Sequence, residues 1–301
     1  MVTVGDLLRT MRLVLTESGI EAARHEAALL IATRCDLSLA RVYSHPETPV
    51  TSRQAEQLRA DLRRRVDHEP IAYILGQTEF YGLEFTVGPG VLIPRADTER
   101  LVEVALEQIE THFPPDQMLH ILDTCTGSGC VGISVASHLA AKGRGFQLDL
   151  VDHDPVAIEY AKANVKRHAL DSQARARIQV QVFQADLWPD PTQTDSERYD
   201  VILANPPYIV QADVPGLMPD VSRFEPWVAL DGGTDGLDFY RRLTQESTSW
   251  LKRPGLLLLE HGFDQALAVE DLCAAAGLAD LLAVYDYGGH PRVTGGWLRE
   301  H

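Results

Sequence analysis

The 301-residue chain predicts an α/β fold: a parallel sheet covered by helices on both faces, ended by an antiparallel C-terminal hairpin and preceded by a small helical domain. Three observations predict it. From His120 onward, short β-forming runs alternate with helix-length segments; the last two runs are separated only by a Gly288-Gly289 turn; and the N-terminal stretch shows helical spacing of its apolar residues. We divide the chain into an N-terminal helical substrate-recognition domain (1–68), a β-hairpin linker (69–95) and the sheet domain (96–301).

Val4, Leu7, Leu8, Met11, Val14 and Leu15 fall on one helical face that Gly19 ends. A second, Ala-rich helix spans Glu21 to Thr33, and a third begins after Thr51 or Ser52 and runs to Arg63-Arg64-Arg65, three cations that complement the macrodipole in solvent. From Ile71 to Val87 the residues are β-formers, with Phe80, Tyr81, Phe85 and Val87 around Gly82, which predicts a hairpin. Asp97 or Thr98 can cap a helix carrying Leu101, Val102, Val104, Ala105 and Ile109, stopped at Phe113-Pro114-Pro115. Strands follow at His120 to Asp123, Gln147 to Asp152, Ile178 to Phe183, Val201 to Ala204 and Leu256 to Glu260. Helices fall between and after them, near Val131 to Ala141, Pro155 to His168, Leu237 to Leu251 and Gln265 to Ala275. Leu281 to Tyr287 and Thr294 to Leu298 form the terminal hairpin.

With 27 Lys plus Arg against 43 Asp plus Glu, the net charge is −16. That field repels phosphate backbones, so no direct nucleic-acid binding is expected and the partner is a small molecule or a protein. The 45% hydrophobic and 23% charged composition excludes disorder as the main state. No apolar run nears the roughly 18 residues of a membrane span. The start, Met1 to Asp6, lacks a basic then apolar leader, so the expected location is cytoplasmic. Cys35, Cys125, Cys130 and Cys273 form no disulfide framework or zinc spacing; reduced thiols and no metal are expected.

The first strand runs into Thr124-Cys125-Thr126-Gly127-Ser128-Gly129 and then a helix, a loop whose backbone can approach a ligand beside unpaired N–H groups. Gly127, Gly129 and Gly132 also satisfy the dinucleotide fingerprint, which keeps a nicotinamide dehydrogenase open. Asp123, Asp152 and Asp186 close three successive strands at the carboxyl edge, where open α/β sheets bind ligands. A cation carrying ribose and adenine suits this acidic rim better than a pyrophosphate, and S-adenosyl-L-methionine is such a ligand. After the fourth strand comes Asn205-Pro206-Pro207-Tyr208: the Asn amide oxygen can accept from a planar N–H₂ group, the prolines fix the turn, and Tyr208 can pack beside it. Two acceptors on the N–H₂ group would align its delocalised lone pair with a sulfonium methyl, while neighbours pin the Asn side chain's own N–H₂.

These motifs, together with Glu69-Pro70-Ile71-Ala72-Tyr73, Phe80-Tyr81-Gly82-Leu83-Glu84-Phe85, Leu92-Ile93-Pro94-Arg95, Asp231-Gly232-Gly233 and Leu258-Leu259-Glu260-His261-Gly262, resemble the peptide chain release factor glutamine methyltransferases (the HemK family) from Glu69 to Trp297. The resemblance implies a Rossmann-like class I S-adenosylmethionine-dependent methyltransferase, expected as a monomer, that methylates the glutamine of the Gly-Gly-Gln loop in class I release factors. It implies that Asp123 and Cys125, Thr126, Gly127, Ser128 and Gly129 cradle the cofactor's methionine part, that Asp152 holds its ribose, and that Asp186 and Leu187 flank its adenine. Asn205 and the Pro206 carbonyl would take the glutamine amide, with Pro207 and Tyr208 beside them. Cys125 stands where many family members carry Gly, and Leu187 separates Asp186 from the aromatic Trp188. Glutamine methylation of ribosomal protein L3, adenine-N6 methylation of DNA and a turnover-free binding module are the alternatives.

Overall fold

The structure, a computed structural model, describes residues 2–170, 177–192 and 199–300. Two compact units make up the chain: one comprises the residues up to Gln77 with Met218–Phe224, the other Thr78–Leu217 with Glu225 onward.

In the first unit side-chain caps start three of the helices, and left-handed residues stop two others. α1 (Val4–Glu17) and α4 (Ser52–Val66) both open on reciprocal capping boxes, Thr3 with Asp6 and Thr51 with Gln54. α2 (Ala23–Cys35) ends at Asp36 with φ +54°, and α3 (Leu39–Ser44) is capped by Ser38. α5 (Ile71–Leu75) and the one-turn α9 (Pro219–Ser222) complete the unit. Two expectations are corrected here. Ile71 to Leu75 are helical although composed of β-formers, because Ile74 is buried in the helical core and Gly76, at φ +78°, closes the turn; packing overrides local propensity. Arg65 does not face solvent either: it is buried and makes a bidentate pair with Glu26 on α2, at 2.6 and 3.3 Å.

The second unit begins at Thr78, within the hairpin of β1 (Gln77–Phe80) and β2 (Leu83–Thr86). Its two-residue turn has positive φ at both Tyr81 and Gly82, the geometry that matches strand twist. α6 (Glu99–His112) follows a 3₁₀ turn at Ala96–Thr98. Thr98 sits at its N-cap, yet neither it nor Asp97 caps the helix with its side chain. The main sheet then takes shape from β3 (Leu119–Thr124), β4 (Phe146–Asp152), β5 (Ile178–Gln184), β6 (Tyr199–Ala204), β7 (Leu251–Glu260), β8 (Ala279–Tyr285) and β9 (Pro291–Leu298). Their order is β5-β4-β3-β6-β7-β9-β8. The first five in that order run parallel, and β9 pairs antiparallel to both β7 and β8. α7 (Cys130–Ala141), α8 (Pro155–Arg167), α10 (Asp238–Trp250) and α11 (Ala266–Ala275) lie close to the helices read from sequence. β7 starts five residues earlier than its apolar run suggests, across a register break opposite Tyr199 and Val201.

Strand order reverses at β3, which has β4 on one side and β6 on the other; such a switch point opens a crevice at the carboxyl edge. The register sets Thr124 opposite Ala204, so the segments that leave these two strands start side by side. α7 approaches β3 and β4 closely because Gly132 has no side chain: a Cβ there would lie 2.6 Å from Leu150 Cδ2 and 3.0 Å from Asp123 Cβ. Gly132→Ala gains about 1 kcal/mol of helix propensity, but overpacking costs about 1–3 kcal/mol. The variant should therefore have a lower urea midpoint than the parent, and an equal or higher midpoint would contradict this packing.

Candidate active site

The loop after β3 is held from beneath by a carboxylate. Asp123 is buried, and its Oδ2 accepts both the Thr126 hydroxyl at 2.6 Å and the Gly132 N–H at 2.9 Å. Burial pushes its pKa up to about 7, against the pull of those two donors. Thr126 N–H donates to the Val151 carbonyl, and Gly129 N–H returns to the Thr126 carbonyl at 2.8 Å. Cys125, Gly127 and Gly129 all have positive φ, +56°, +56° and +81°. Two are glycines, which adopt that region freely, and Cys125 is held there as a side-chain-bearing residue.

Asp152, at the end of β4, accepts from Gly127 N–H at 2.8 Å and Asp154 N–H at 3.0 Å; burial raises its pKa. Asp186 differs from the other two: it lies beyond β5, is largely exposed, and forms a two-pronged pair with Arg242 at 3.1 and 3.0 Å. Leu187 is buried with φ +66°, and its carbonyl accepts from the Thr124 hydroxyl at 2.6 Å. Trp188 is turned to other partners, stacking on Trp250 and donating to Glu246.

Asn205 leaves β6 and donates from Nδ2 to the Thr98 hydroxyl at 3.2 Å. Thr98 in turn donates to Glu260 Oε1 at 3.0 Å. Both Thr98 and Glu260 are buried, and burial pushes Glu260 up to about 7. Tyr208 packs on the core, with its carbonyl held by Gln265 at 2.9 Å and its phenol pKa pushed up to about 12 by burial. Gly232 and Gly236 let the segment after Asp231 lie directly on this turn: a Cβ on either would come within 2.7 Å of Tyr208 backbone.

A single cleft of the second unit is lined by Asp123, Cys125 to Ser128, Asp152, Asp186, Leu187, Asn205 and Pro207. Among the expected site residues, Gly129, Pro206 and Tyr208 do not line it; they support the two turns that do. Sequence reading missed Thr98 and Glu260 behind Asn205, and also Glu225, which is buried while it accepts from Arg95 at 2.5 Å beside the cleft. It missed Asn164 as well, whose buried amide ties Thr86 of β2 to the Ser128 carbonyl. Glu260 was detectable, because it ends a buried strand at the carboxyl edge as the aspartates do.

The residues present fit S-adenosylmethionine. Ser128 Oγ is buried in the cleft wall without a hydrogen-bond partner, and Gly127 and Gly129 leave the loop backbone open to close approach. Among the described residues, no group of three or more His, Cys, Asp or Glu could hold a metal ion, and no helix is long and apolar enough to cross a membrane.

This fold and this cleft define an α/β methyltransferase. Residues 101–218 match the methyltransferase small domain model, and residues 6–76 match the PrmC N-terminal domain model. The chain is 36% identical over 294 residues to a release factor glutamine methyltransferase of Geobacter sulfurreducens, covering 98% of this chain and 96% of the relative. Similar proteins of the same name come from Moorella thermoacetica, 37% identical with 95% of each chain covered, and Agrobacterium fabrum, 36% identical with 97% and 96% covered. The chain belongs to the release factor glutamine methyltransferase family.

Asp123 gives a pH test of the loop. Its folded pKa of about 7 exceeds its ordinary 3.8, so the stability it confers is complete below pH ~4 and is lost as pH rises through ~7. Asp123→Asn has no such proton to lose. Its unfolding free energy should fall less between pH 4.5 and 7.5 than the parent's, by at most about 4 kcal/mol. Parallel curves from urea titrations would show that Asp123 is not the buried, proton-linked anchor.

Proposed function

We propose that the chain transfers a methyl group from S-adenosyl-L-methionine to the side-chain amide nitrogen of the glutamine in the Gly-Gly-Gln loop of class I release factors. The supporting observation is that the Asn205 turn and the Cys125–Ser128 loop open onto one cleft, in a chain similar over nearly its whole length to release factor glutamine methyltransferases.

When bound, S-adenosylmethionine supplies the sulfonium methyl as electrophile. The Thr126–Ser128 backbone and Ser128 Oγ would hold its methionine part, with Gly129 supporting the loop from behind, and Asp152 can accept from its ribose hydroxyls. Asp186 and Leu187 also line the cleft and would flank the adenine. Asn205 Oδ1 and the carbonyl of Pro206, which stands between the cleft residues Asn205 and Pro207, would accept the two amide hydrogens of the glutamine and so orient the nitrogen lone pair toward the methyl. Pro207 closes the turn beside the amide, and Tyr208 braces it from the core side.

The amide nitrogen gains a methyl and then loses one proton, so no side chain has to remove a proton before transfer. What the site must favour is positive charge developing on that nitrogen. Carbonyl acceptors and the carboxylates at the cleft do so. The helical unit, which matches the PrmC N-terminal domain, supplies surface for docking the folded factor. Because a single glutamine is too small to distinguish one protein from another, recognition has to come from such surface. A protein modified for translation termination would be met in the cytoplasm.

The test uses the full chain, a purified class I release factor and isotope-labelled S-adenosylmethionine, with the label mapped by mass spectrometry. One methyl on the Gly-Gly-Gln glutamine is expected, and Asn205→Ala should lower kcat by about 10²–10³. Label appearing instead on ribosomal protein L3 or on DNA adenine, or an unlabelled factor, would overturn the proposal.

A further inference from the structure

Asn205 can serve as an acceptor only if its side-chain amide is turned the right way. Its oxygen and nitrogen are nearly the same size, so packing alone does not choose between the two orientations. The choice is made by hydrogen-bond polarity. An ionised carboxylate only accepts, a hydroxyl has one proton to give, and an amide nitrogen only donates. With Glu260 ionised, these three rules allow one arrangement: Glu260 Oε1 takes the Thr98 proton, and the Thr98 oxygen must then receive a proton from Asn205 Nδ2. That leaves Asn205 Oδ1 as the atom turned away from Thr98.

We infer that Thr98 and Glu260 are positioning residues for methyl transfer, a buried relay that fixes Asn205 with its amide oxygen presented to the substrate amide. The inference rests on the proposed function and extends it to two residues outside the acceptor motif. Three features support the relay. Thr98 sits at the N-cap position of α6, yet its hydroxyl makes no cap bond and is committed to Glu260 and Asn205. The two supporting residues are each 1% exposed, so water does not compete for their protons. They also come from separate elements, the turn before α6 and the end of β7, which converge on Asn205 at the end of β6.

Burial, the largest effect, and the charge of Asp97 push the Glu260 pKa up to about 7, while the hydrogen bond of Thr98, the charge of Arg292 of β9 and the hydrogen bond of Asn205 pull it down, so the ionised, accepting form predominates above pH ~7 and the relay is read there. Arg292 is itself held by Asp286 and Asp97, each at 3.1 Å.

Thr98→Val keeps the shape and deletes the hydroxyl; Thr98→Ser keeps the hydroxyl; Glu260→Gln offers a donor as well as an acceptor and so removes the polarity. With the parent chain methylating the factor as the control, Thr98→Val and Glu260→Gln should lower kcat at least tenfold while leaving S-adenosylmethionine affinity within twofold. Thr98→Ser should stay within threefold of the parent. In a double-mutant cycle, Thr98→Val should cost little more once Asn205→Ala is present, because both remove the same interaction.

Independently of turnover, the side-chain amide resonances of Asn205 should move in Thr98→Val and hardly in Thr98→Ser. An active parent with Thr98→Val within twofold of it overturns the relay, and so do equal factors in the parent and Asn205→Ala backgrounds. A parent that leaves the factor unlabelled overturns the proposed function instead; the relay is then judged by the amide resonances, and unmoved resonances overturn it.

Discussion

The site depends on the parallel pairing of β3 with β6, in which Thr124 stands opposite Ala204. Because this pair is where strand order reverses, the two outgoing turns are left to face a common space. One turn is built from glycines and backbone N–H groups, the other from Asn205 and prolines. A slip of the register by one residue would send every side chain of β6 to the opposite face and carry Asn205 with it. Long apolar strands buried on both faces hold the register: Leu119, Ile121 and Leu122 on β3, and Val201 to Ala204 on β6, are almost fully buried.

Around that pair the protein uses carboxylates as internal fasteners. Asp123 gathers the start of α7 and the loop into one acceptor, and Asp152 fixes Gly127 from the neighbouring strand. Glu260 sets the direction of a hydrogen-bond chain that reaches Asn205. Glu225 anchors Arg95 and also accepts from Ile93 N–H at 3.3 Å. Each such buried acid costs desolvation, which shows as the upward pKa shifts of Asp123, Asp152 and Glu260. The opposing gain is a cleft whose donors and acceptors are in place before substrate arrives, which is where electrostatic catalysis has its advantage. An acidic interior also suits a reaction in which positive charge passes from one ligand to another.

Much of the sheet domain was legible because its strands and helices are long, apolar on the right period and punctuated by glycine and proline. The Asn205-Pro206-Pro207-Tyr208 turn and the glycine loop could be placed at strand ends from spacing alone. The residues that were not legible depend on tertiary contact. Ile71 to Leu75 look like a strand until the helical core they enter is known. Arg65 looks like a surface cation until Glu26 is seen opposite it. Thr98 reads as a helix cap because Thr favours that position, and only its neighbours reveal that the hydroxyl serves Asn205. Where Trp188 points could not be read from its place two residues after Asp186: the left-handed Leu187 turns the chain so that the indole stacks on Trp250.

Cofactor and acceptor amide must meet above β3 and β6 for this account to hold, and the most direct measurement is a crystal structure of the chain with S-adenosylhomocysteine and a Gly-Gly-Gln peptide. The account predicts the ribose on Asp152, the sulfur between the Cys125–Gly129 loop and Asn205, and the glutamine amide within hydrogen-bond distance of Asn205 Oδ1 and the Pro206 carbonyl. A glutamine amide bound away from Asn205, or a ribose held by residues other than Asp152, would contradict it.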